Sequence, residues 1–478
     1  MAMPHSVMLP FPDTSHINSM LQLAKLLHSK GFHITFINTE TSKQTILESQ
    51  GSDAFQGSEH FVFETVADAF VPTSLHTNQR VAKSSIKTYT HCASPLRDVL
   101  MKLNNSSGIP RISCIVYNWL MDFALDVGEE LNIPAMVFCS MSACGFMADL
   151  HLEELVERGY TPLKDESYLT NGYLDTTIDW IPGMKDVRLK DLSSFVRSLD
   201  SDDFFLNNEK KVTKKSLGAQ GLILNTFDLL ETDVVNALSA MFQKVYAIGQ
   251  FSELTRNITT NYRNSLCLNL WEVDGDYKAW LDAQKPRSVI YVSFGSLITV
   301  SHEELVEFAW GLADSYCSFL WIIRPNLVRG DGAILPQDFI EKTKERSYIA
   351  SWCSQEEVLS HVSVAGFLTH CGWNSTLESI SGGVPLVCWP GFAEQYTNTR
   401  YVCKDWGVGI EIDRDVKREQ VTSKVKELME GDQKANDMRK NAMKWKERSK
   451  EATSQGGSSY NNLERFIEDL NMMKQVSF

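Results

Sequence analysis

VMLPFPDTSHINSMLQLAKLLHSKGFHITFIN, residues 7–38, decides the fold class. Residues 7–11 are a short apolar run and residues 12–16 carry turn chemistry. Residues 17–30 place Ile17, Met20, Leu21, Ala24 and Leu27 on one helical face. Gly31 tolerates the left-handed backbone that ends a helix, and residues 32–38 resume as a second strand. Strand, helix and strand in so short a stretch make a βαβ unit, whose strands lie parallel in one sheet.

The pattern recurs outward from there. Residues 114–117, 121–131 and 135–140 read as strand, helix and strand, which predicts an α/β layer structure for the first half. From about 153 to 208 the rhythm is lost among turn signals and acidic clusters such as Asp200 to Asp203, the pattern of excursion loops and helices over one face. A strand at 221–225 and a helix from about 231 to 241 follow, and then 252–276 is polar and aperiodic. A second series of strands is expected at 289–294, 319–324, 348–352, 364–369, 385–389 and 407–412. The division is therefore a first α/β domain over 1–250, a linker over 251–287, a second α/β domain over 288–455, and a terminal helical stretch over 456–478.

Composition removes several classes of function. The 478 residues carry 46 Lys and Arg against 60 Asp and Glu, a formal charge of −14, so the long-range field repels nucleic acid and anionic lipid. Any bound phosphate has to be held locally. Ten cysteines include no C-x-x-C pair and mostly sit in apolar runs, as buried free thiols do in a reducing compartment. With no signal-peptide pattern and no apolar run of about 18 residues, the expectation is a cytoplasmic monomer without an integral membrane segment. G-x-G-x-x-G after a strand, the P-loop, G-x-S-x-G and H-E-x-x-H are all absent, and the D-x-D triplets at Asp200, Asp274 and Asp413 are what chance yields in an acidic chain. No metal is expected.

The chemistry concentrates in residues 352–395. In open parallel sheets ligands bind beyond the carboxyl ends of strands, and here three successive strand ends present polar or aromatic groups. Trp352 closes one strand. His370 closes the next and leads through Cys371 and Gly372 into a helix beginning near Trp373, Asn374 and Ser375, and Trp389 closes the third, ahead of Glu394 and Gln395. A helix N-terminus has unpaired N–H groups and partial positive charge, so His370, Asn374 and Ser375 form a cradle for a diphosphate. Glu378, one turn further, suits two ribose hydroxyls, Trp352 offers a flat face to a base, and Glu394 and Gln395 offer partners to sugar hydroxyls. Singly, each aromatic could be core and His370 a satisfied buried histidine. Jointly they suit a nucleotide sugar.

These residues resemble the 44-residue signature box of plant family 1 UDP-dependent glycosyltransferases, with W-C-S-Q, H-C-G-W-N-S, E-S and E-Q in their places. The likeness extends to residues 10–40, 168–184 and 225–231, and is greatest to the branch that glucosylates terpenoid, iridoid and cyanohydrin aglycones. It implies two facing Rossmann-like domains (the GT-B type), acceptor in the first and UDP-sugar mainly in the second, with the terminal helix packed back on the first. The resemblance further implies Trp352 and Cys353 at the uracil, Gln355 near the uridine, Glu378 on the ribose, and His370, Asn374, Ser375 and Ser296 on the diphosphate. Trp373, Glu394 and Gln395 would contact the sugar, glucose by preference. The activity implied is inverting, metal-independent O-glucosylation of a small lipophilic aglycone, with UDP-glucose as substrate and no cofactor.

His16 corresponds to the family's catalytic base, and an imidazole has a pKa suited to that task. The family supports its base with an aspartate, and Asn118 stands in that place. An amide oxygen could still accept the imidazole N–H, but without the charge that stabilises imidazolium. In a serine protease triad the same exchange costs about 10⁴ in turnover. Three accounts stay open: an acceptor acidic enough to need little help, such as a carboxylic acid, phenol or enol, so that the glycosylated group is a hydroxyl or a carboxyl; a carboxylate such as Asp13 acting as substitute; or a weakly active or silent nucleotide-sugar binder. Ser140 takes a position where the family often has a sugar-touching Thr, and Trp119 either narrows the acceptor pocket or fills core.

Overall fold

Both series of strands form, each as its own parallel sheet, in the computed structural model, which describes residues 3–51, 55, 57–67, 92–256, 275–328, 334–431 and 433–476. The first contains β1 (His5–Leu9), β2 (His33–Thr39), β3 (Phe61–Val66), β4 (Cys114–Asn118) and β5 (Ala135–Cys139). A small antiparallel ribbon, β6 (Thr177–Ile178) with β7 (Val187–Arg188), interrupts the series before β8 (Leu222–Leu224) and β9 (Val245–Ala247) complete it. The order is β3-β2-β1-β4-β5-β8-β9. Every residue of β1, β2, β4 and β5 is buried, as continuous apolar strands covered on both faces must be.

The second sheet holds β10 (Val289–Ser293), β11 (Ser318–Ile322), β12 (Ser347–Ala350), β13 (Val364–Thr369), β14 (Leu386–Cys388) and β15 (Gly409–Glu411), in the order β12-β11-β10-β13-β14-β15. Each sheet reverses its strand order once, between β1 and β4 and between β10 and β13. That reversal opens a crevice at the carboxyl ends of the two strands. His16 follows β1 and Asn118 ends β4, whereas Ser296 follows β10 and His370 follows β13, so topology alone gathers these four at two crevices.

Several boundaries differ from expectation for physical reasons. β1 stops at Leu9, ahead of Pro10, which has no N–H for a ladder. The first helix begins at Thr14, not at residue 17, because Asp13 caps it: its Oδ1 accepts from the Ser15 backbone N–H at 3.0 Å and from the Ser15 hydroxyl at 2.6 Å. His16 therefore sits in the first helical turn and not in a loop. β12 and β14 end at Ala350 and Cys388, which leaves Trp352 and Trp389 just beyond their strands. β3 and β9, short outer strands, were not anticipated, and the stretch read as linker is helical at Phe251–Arg256 and Tyr277–Asp282, while 257–274 lies outside the described residues.

The helix Ser458–Val476 lies against the first sheet. Leu463, Phe466 and Leu470 enter the core beside Tyr246, and the Asp469 carboxylate accepts from the Tyr246 hydroxyl and from Lys244 Nζ. Phe466 is fully buried, with its ring centroid 5.0 Å from that of Tyr246. Phe466→Ala should cost about 3–5 kcal/mol; urea unfolding followed by tryptophan fluorescence should show its lowered midpoint, and an unchanged midpoint would mean that the helix contributes little to the first half.

Candidate active site

A cavity of about 1070 Å³ opens between the two sheets, lined from both sets of strand ends. Its second-sheet wall is built around the helix Trp373–Gly382, with Gly372 as its N-cap and Cys371 in the left-handed region at φ 62°. The imidazole of His370 is wedged between two glycines. A Cβ on Gly372 would come within 2.5 Å of His370 Nε2, and one on Gly295, itself at φ +68°, within 2.5 Å of Cε1 and Nε2. Burial, helped by the charge of Arg324, lowers the His370 pKa to about 4, so the ring is neutral at physiological pH and donates from one nitrogen only.

Arg324, which the sequence reading left as an unremarked strand end, lies fully buried under the loop that carries Ser296. Its Nε donates to Gly295 O at 2.8 Å, one Nη donates to Ile298 O, and the other donates to Asn326 Oδ1 at 2.8 Å. Among the described residues it has no carboxylate in ion-pair contact, so a positive charge stands behind the loop. This is the local attraction that the acidic chain otherwise lacks.

Gln355, Ser375 and Glu378 form one network. Gln355 Nε2 donates to Ser375 Oγ at 2.9 Å and to Glu378 Oε2 at 2.6 Å, and its Oε1 accepts from the Tyr291 hydroxyl at 3.2 Å. Burial pushes Glu378 up to about 7, with the Gln355 bond opposing. Trp352 lines the cavity, while Cys353 is buried beside Tyr291 OH, 3.5 Å from its Sγ. Glu394, also raised to about 7 by burial, and Gln395, whose Oε1 accepts from the Gly391 and Phe392 N–H groups at 3.0 and 3.1 Å, line the cavity near the first sheet's end.

Two residues expected at the donor have their side chains in the seam between the halves. Asn374 Nδ2 donates to Ser15 O at 2.9 Å, and its Oδ1 accepts from the Ser19 hydroxyl at 3.0 Å. The indole of Trp373 donates to Asn225 O at 2.9 Å.

On the facing wall, His16 Nδ1 lies 2.8 Å from Ser140 Oγ and 3.1 Å from Asn118 Nδ2. Asn118 Oδ1 accepts from the Leu120 backbone N–H at 3.2 Å, which fixes the amide with its NH₂ toward His16 and Ser140. The expected arrangement, an amide oxygen receiving the imidazole N–H, is therefore reversed. His16 Nε2 makes no hydrogen bond among the described residues, and burial lowers the ring's pKa against the opposing charge of Asp13. Asp13 is a helix cap. Trp119 is both core and wall: 4% exposed, it stands with its ring 5.3 Å from that of His16 and donates from Nε1 to Glu209 Oε1 at 2.8 Å. Glu209, hidden in the aperiodic middle of the sequence, was not singled out. Residues 68–80 lie outside the described residues. Among the described residues no cluster of three or more His, Cys, Asp or Glu is arranged for a metal ion, and no helix is long and apolar enough to cross a membrane.

Comparison with known proteins agrees with this architecture. Residues 204–450 match the family described as UDP-glucoronosyl and UDP-glucosyl transferase. The chain is 50% identical to a 7-deoxyloganetin glucosyltransferase of Gardenia jasminoides, over 98% of this chain and 97% of that protein. It is 49% identical to an (R)-mandelonitrile beta-glucosyltransferase of Prunus dulcis, over 97% and 96%. Among solved structures, Phytolacca americana UGT2 complexed with UDP-2fluoro-glucose and pterostilbene superposes with a TM-score of 0.79 at 26% identity, covering 98% of this chain and all of that one. The chain belongs to the plant family 1 UDP-glycosyltransferases, with their GT-B fold of two α/β domains, and is an enzyme of that class.

Gly295→Ala would both strain a left-handed residue and push on His370. Its Kd for UDP-glucose, read by calorimetry, should rise at least about tenfold, roughly 1.4 kcal/mol. An unchanged Kd would remove His370 from donor binding.

Proposed function

We propose that the protein is an inverting O-glucosyltransferase that uses UDP-glucose, acts on small lipophilic terpenoid, iridoid or cyanohydrin-like aglycones, and employs His16 as general base. The observation that carries this reading is the position of His16 in the cavity. Its Nδ1 is engaged by Ser140 and Asn118, and Nε2 has no hydrogen-bond partner among the described residues, across from the wall built on His370, Ser375 and Glu378. Relatives named for 7-deoxyloganetin and (R)-mandelonitrile support the acceptor class, and none of the named relatives supports a silent binder.

In this reading Trp352 stacks on uracil, with Cys353 behind it and Gln355 beside the uridine, and Glu378 accepts from the ribose. His370, Ser375 and Ser296 hold the diphosphate, backed by Arg324. Asn374 and Trp373 contribute through backbone N–H groups at the helix N-terminus, because their side chains tie the two halves together. Glu394 and Gln395 take sugar hydroxyls. The acceptor oxygen attacks the anomeric carbon as its proton passes to His16 Nε2, and UDP leaves from the opposite face. We also propose the division 1–250, 251–287, 288–455 and 456–478, a monomeric state, operation without a metal, and a cytosolic location, for which the nine described free cysteines, seven of them buried, are support.

A base acting through Nε2 needs its proton on Nδ1. The amide NH₂ of Asn118 opposes that tautomer, so the Ser140 oxygen is left to accept the Nδ1–H. Ser140 is thus a positioning residue, and the base has neutral support only. Such a base favours an acceptor whose hydroxyl is acidified, as by the nitrile of a cyanohydrin.

Incubation with UDP-glucose and a panel of terpenoid, iridoid, phenolic and cyanohydrin aglycones, following UDP release and β-glucoside mass, tests the activity; release of UDP with none of them would refute it. His16→Ala should lower kcat by about 10² or more. Ser140→Ala should lower kcat about tenfold with little change in KM, and Asn118→Asp should raise kcat more for an aliphatic alcohol than for a phenol; equal effects on both acceptors would contradict the assignment. Glu378 ionises near 7, so uridine, which carries no phosphate to titrate, should bind more tightly at pH 8 than at pH 6, and Glu378→Gln should flatten that dependence.

A further inference from the structure

Glu209, on the helix Phe204–Ser216, is 5% exposed and lines the cavity. One indole separates it from the base, since Trp119 donates to Glu209 Oε1 and stands beside the His16 ring. Around Glu209 the cavity is lined by the apolar side chains of Phe11, Leu120, Met141, Phe195, Phe205 and Phe392. Two further carboxyls lie within electrostatic reach: Asp149, 1% exposed on the helix Ala143–Leu150, and Glu394, packed against Gly145 of that same helix. Among the described residues none of the three forms an ion pair. The nearby cations are engaged elsewhere: Lys211 and Lys215 with Asp122, and Arg197 with the Lys190 carbonyl and the Tyr396 ring.

We propose that this carboxyl cluster, in which Glu209 and Glu394 face the cavity and Asp149 lies behind them, selects the acceptor by charge, admitting neutral hydroxylated aglycones and rejecting those that carry a carboxylate. The inference rests on the reading that this wall receives the acceptor. A carboxylate entering beside Glu209 would give up its hydration against apolar side chains, with Glu394 also on the cavity and Asp149 behind them. Of the cations on the same cavity, Arg256 is held by Glu253 and Glu356, and Lys25 lies more than about two helical turns along from His16. A neutral aglycone meets the opposite situation. Its hydroxyl can donate to Glu209, and when Glu209 holds a proton it can also donate to a carbonyl. Burial pushes Glu209 and Glu394 up to about 7, Glu209 with help from the Glu394 charge; burial and the charges of Glu209 and Glu394 hold Asp149 well above the carboxylate range, while burial lowers the pKa of His16 on the other side of Trp119. The discrimination should therefore strengthen as pH rises through 7. Joined to the neutral support of His16, the cluster narrows the acceptor further. The acidity that a weakly supported base requires has to come in an uncharged molecule such as a phenol, an enol or a cyanohydrin, and not in a carboxylic acid.

The test uses 4-hydroxyphenylacetate and its methyl ester, which share the phenol and differ in charge. Binding to the full-length enzyme with UDP bound is read by tryptophan fluorescence quenching at pH 6 and pH 8, so the answer does not depend on turnover. The wild type should bind the ester at least tenfold more tightly than the acid at pH 8, with a smaller ratio at pH 6. Glu209→Gln, which keeps an oxygen for the Trp119 indole, should shrink the pH 8 ratio at least threefold, chiefly by tightening the acid, and Asp149→Asn should shift the ratio in the same direction. A ratio unchanged in both variants, with both ligands still bound, would overturn the charge selection and leave the acceptor-site reading intact. Failure of the ester to bind the wild type would overturn that underlying reading, and the selection with it.

Discussion

The bonds from Asn374 to the Ser15 carbonyl and the Ser19 hydroxyl are the constraint on which the site depends. Ser15 and Ser19 belong to the helix that carries His16, and Asn374 belongs to the first turn of the helix that opens the other wall. One side chain thus sets the distance between the two walls of the cavity. The neighbouring contacts repeat the device: Trp373 to Asn225 O, Trp406 to Leu230 O, and Ser142 to Asn398, which in turn holds Cys371 O. Each joins strand-end residues of one half to those of the other. Polar bonds of this kind fix a geometry, where an apolar seam of equal area would permit sliding.

The electrostatics within that frame are unusual for so acidic a chain. One wall carries Arg324 and a helix N-terminus, and the opposite wall carries buried acids that form no ion pair among the described residues. A ligand that is negative at one end and neutral at the other has only one way to lie across such a cavity. The orientation of the two substrates is then set by charge before any specific hydrogen bond forms.

Much of this was legible in the sequence. The box from Trp352 to Gln395 could be read because its residues fall at consecutive strand ends, and parallel strand ends converge by topology. The βαβ unit at the start placed His16 at the mouth of the first sheet for the same reason. What escaped depends on local backbone or on distant partners. The direction of the Asn118 amide is decided by the Leu120 N–H, a matter of loop conformation that residue types do not reveal. Glu209 meets Trp119 across 90 positions of chain, and Arg324 meets the Gly295 loop across 29. β9 is an outer strand of three residues, too few to display a period, β3 is an outer strand whose apolar run is broken by Glu64 and Thr65, and the Asp13 cap moved a helix start by three residues because Thr14 and Ser15 are not apolar.

The helix Ser458–Val476 has a mechanical consequence. The chain leaves the first half through Phe251–Arg256, which packs on the helix bearing His16, and comes back after Thr453, so the two halves are held by two crossings of the polypeptide. A body held by one link can swing and twist about it, whereas one held by two is restricted mainly to rotation about the line that joins them. Parting to exchange products and closing on new substrates would then retrace a single path, and the seam at Asn374 would return to register on every turnover.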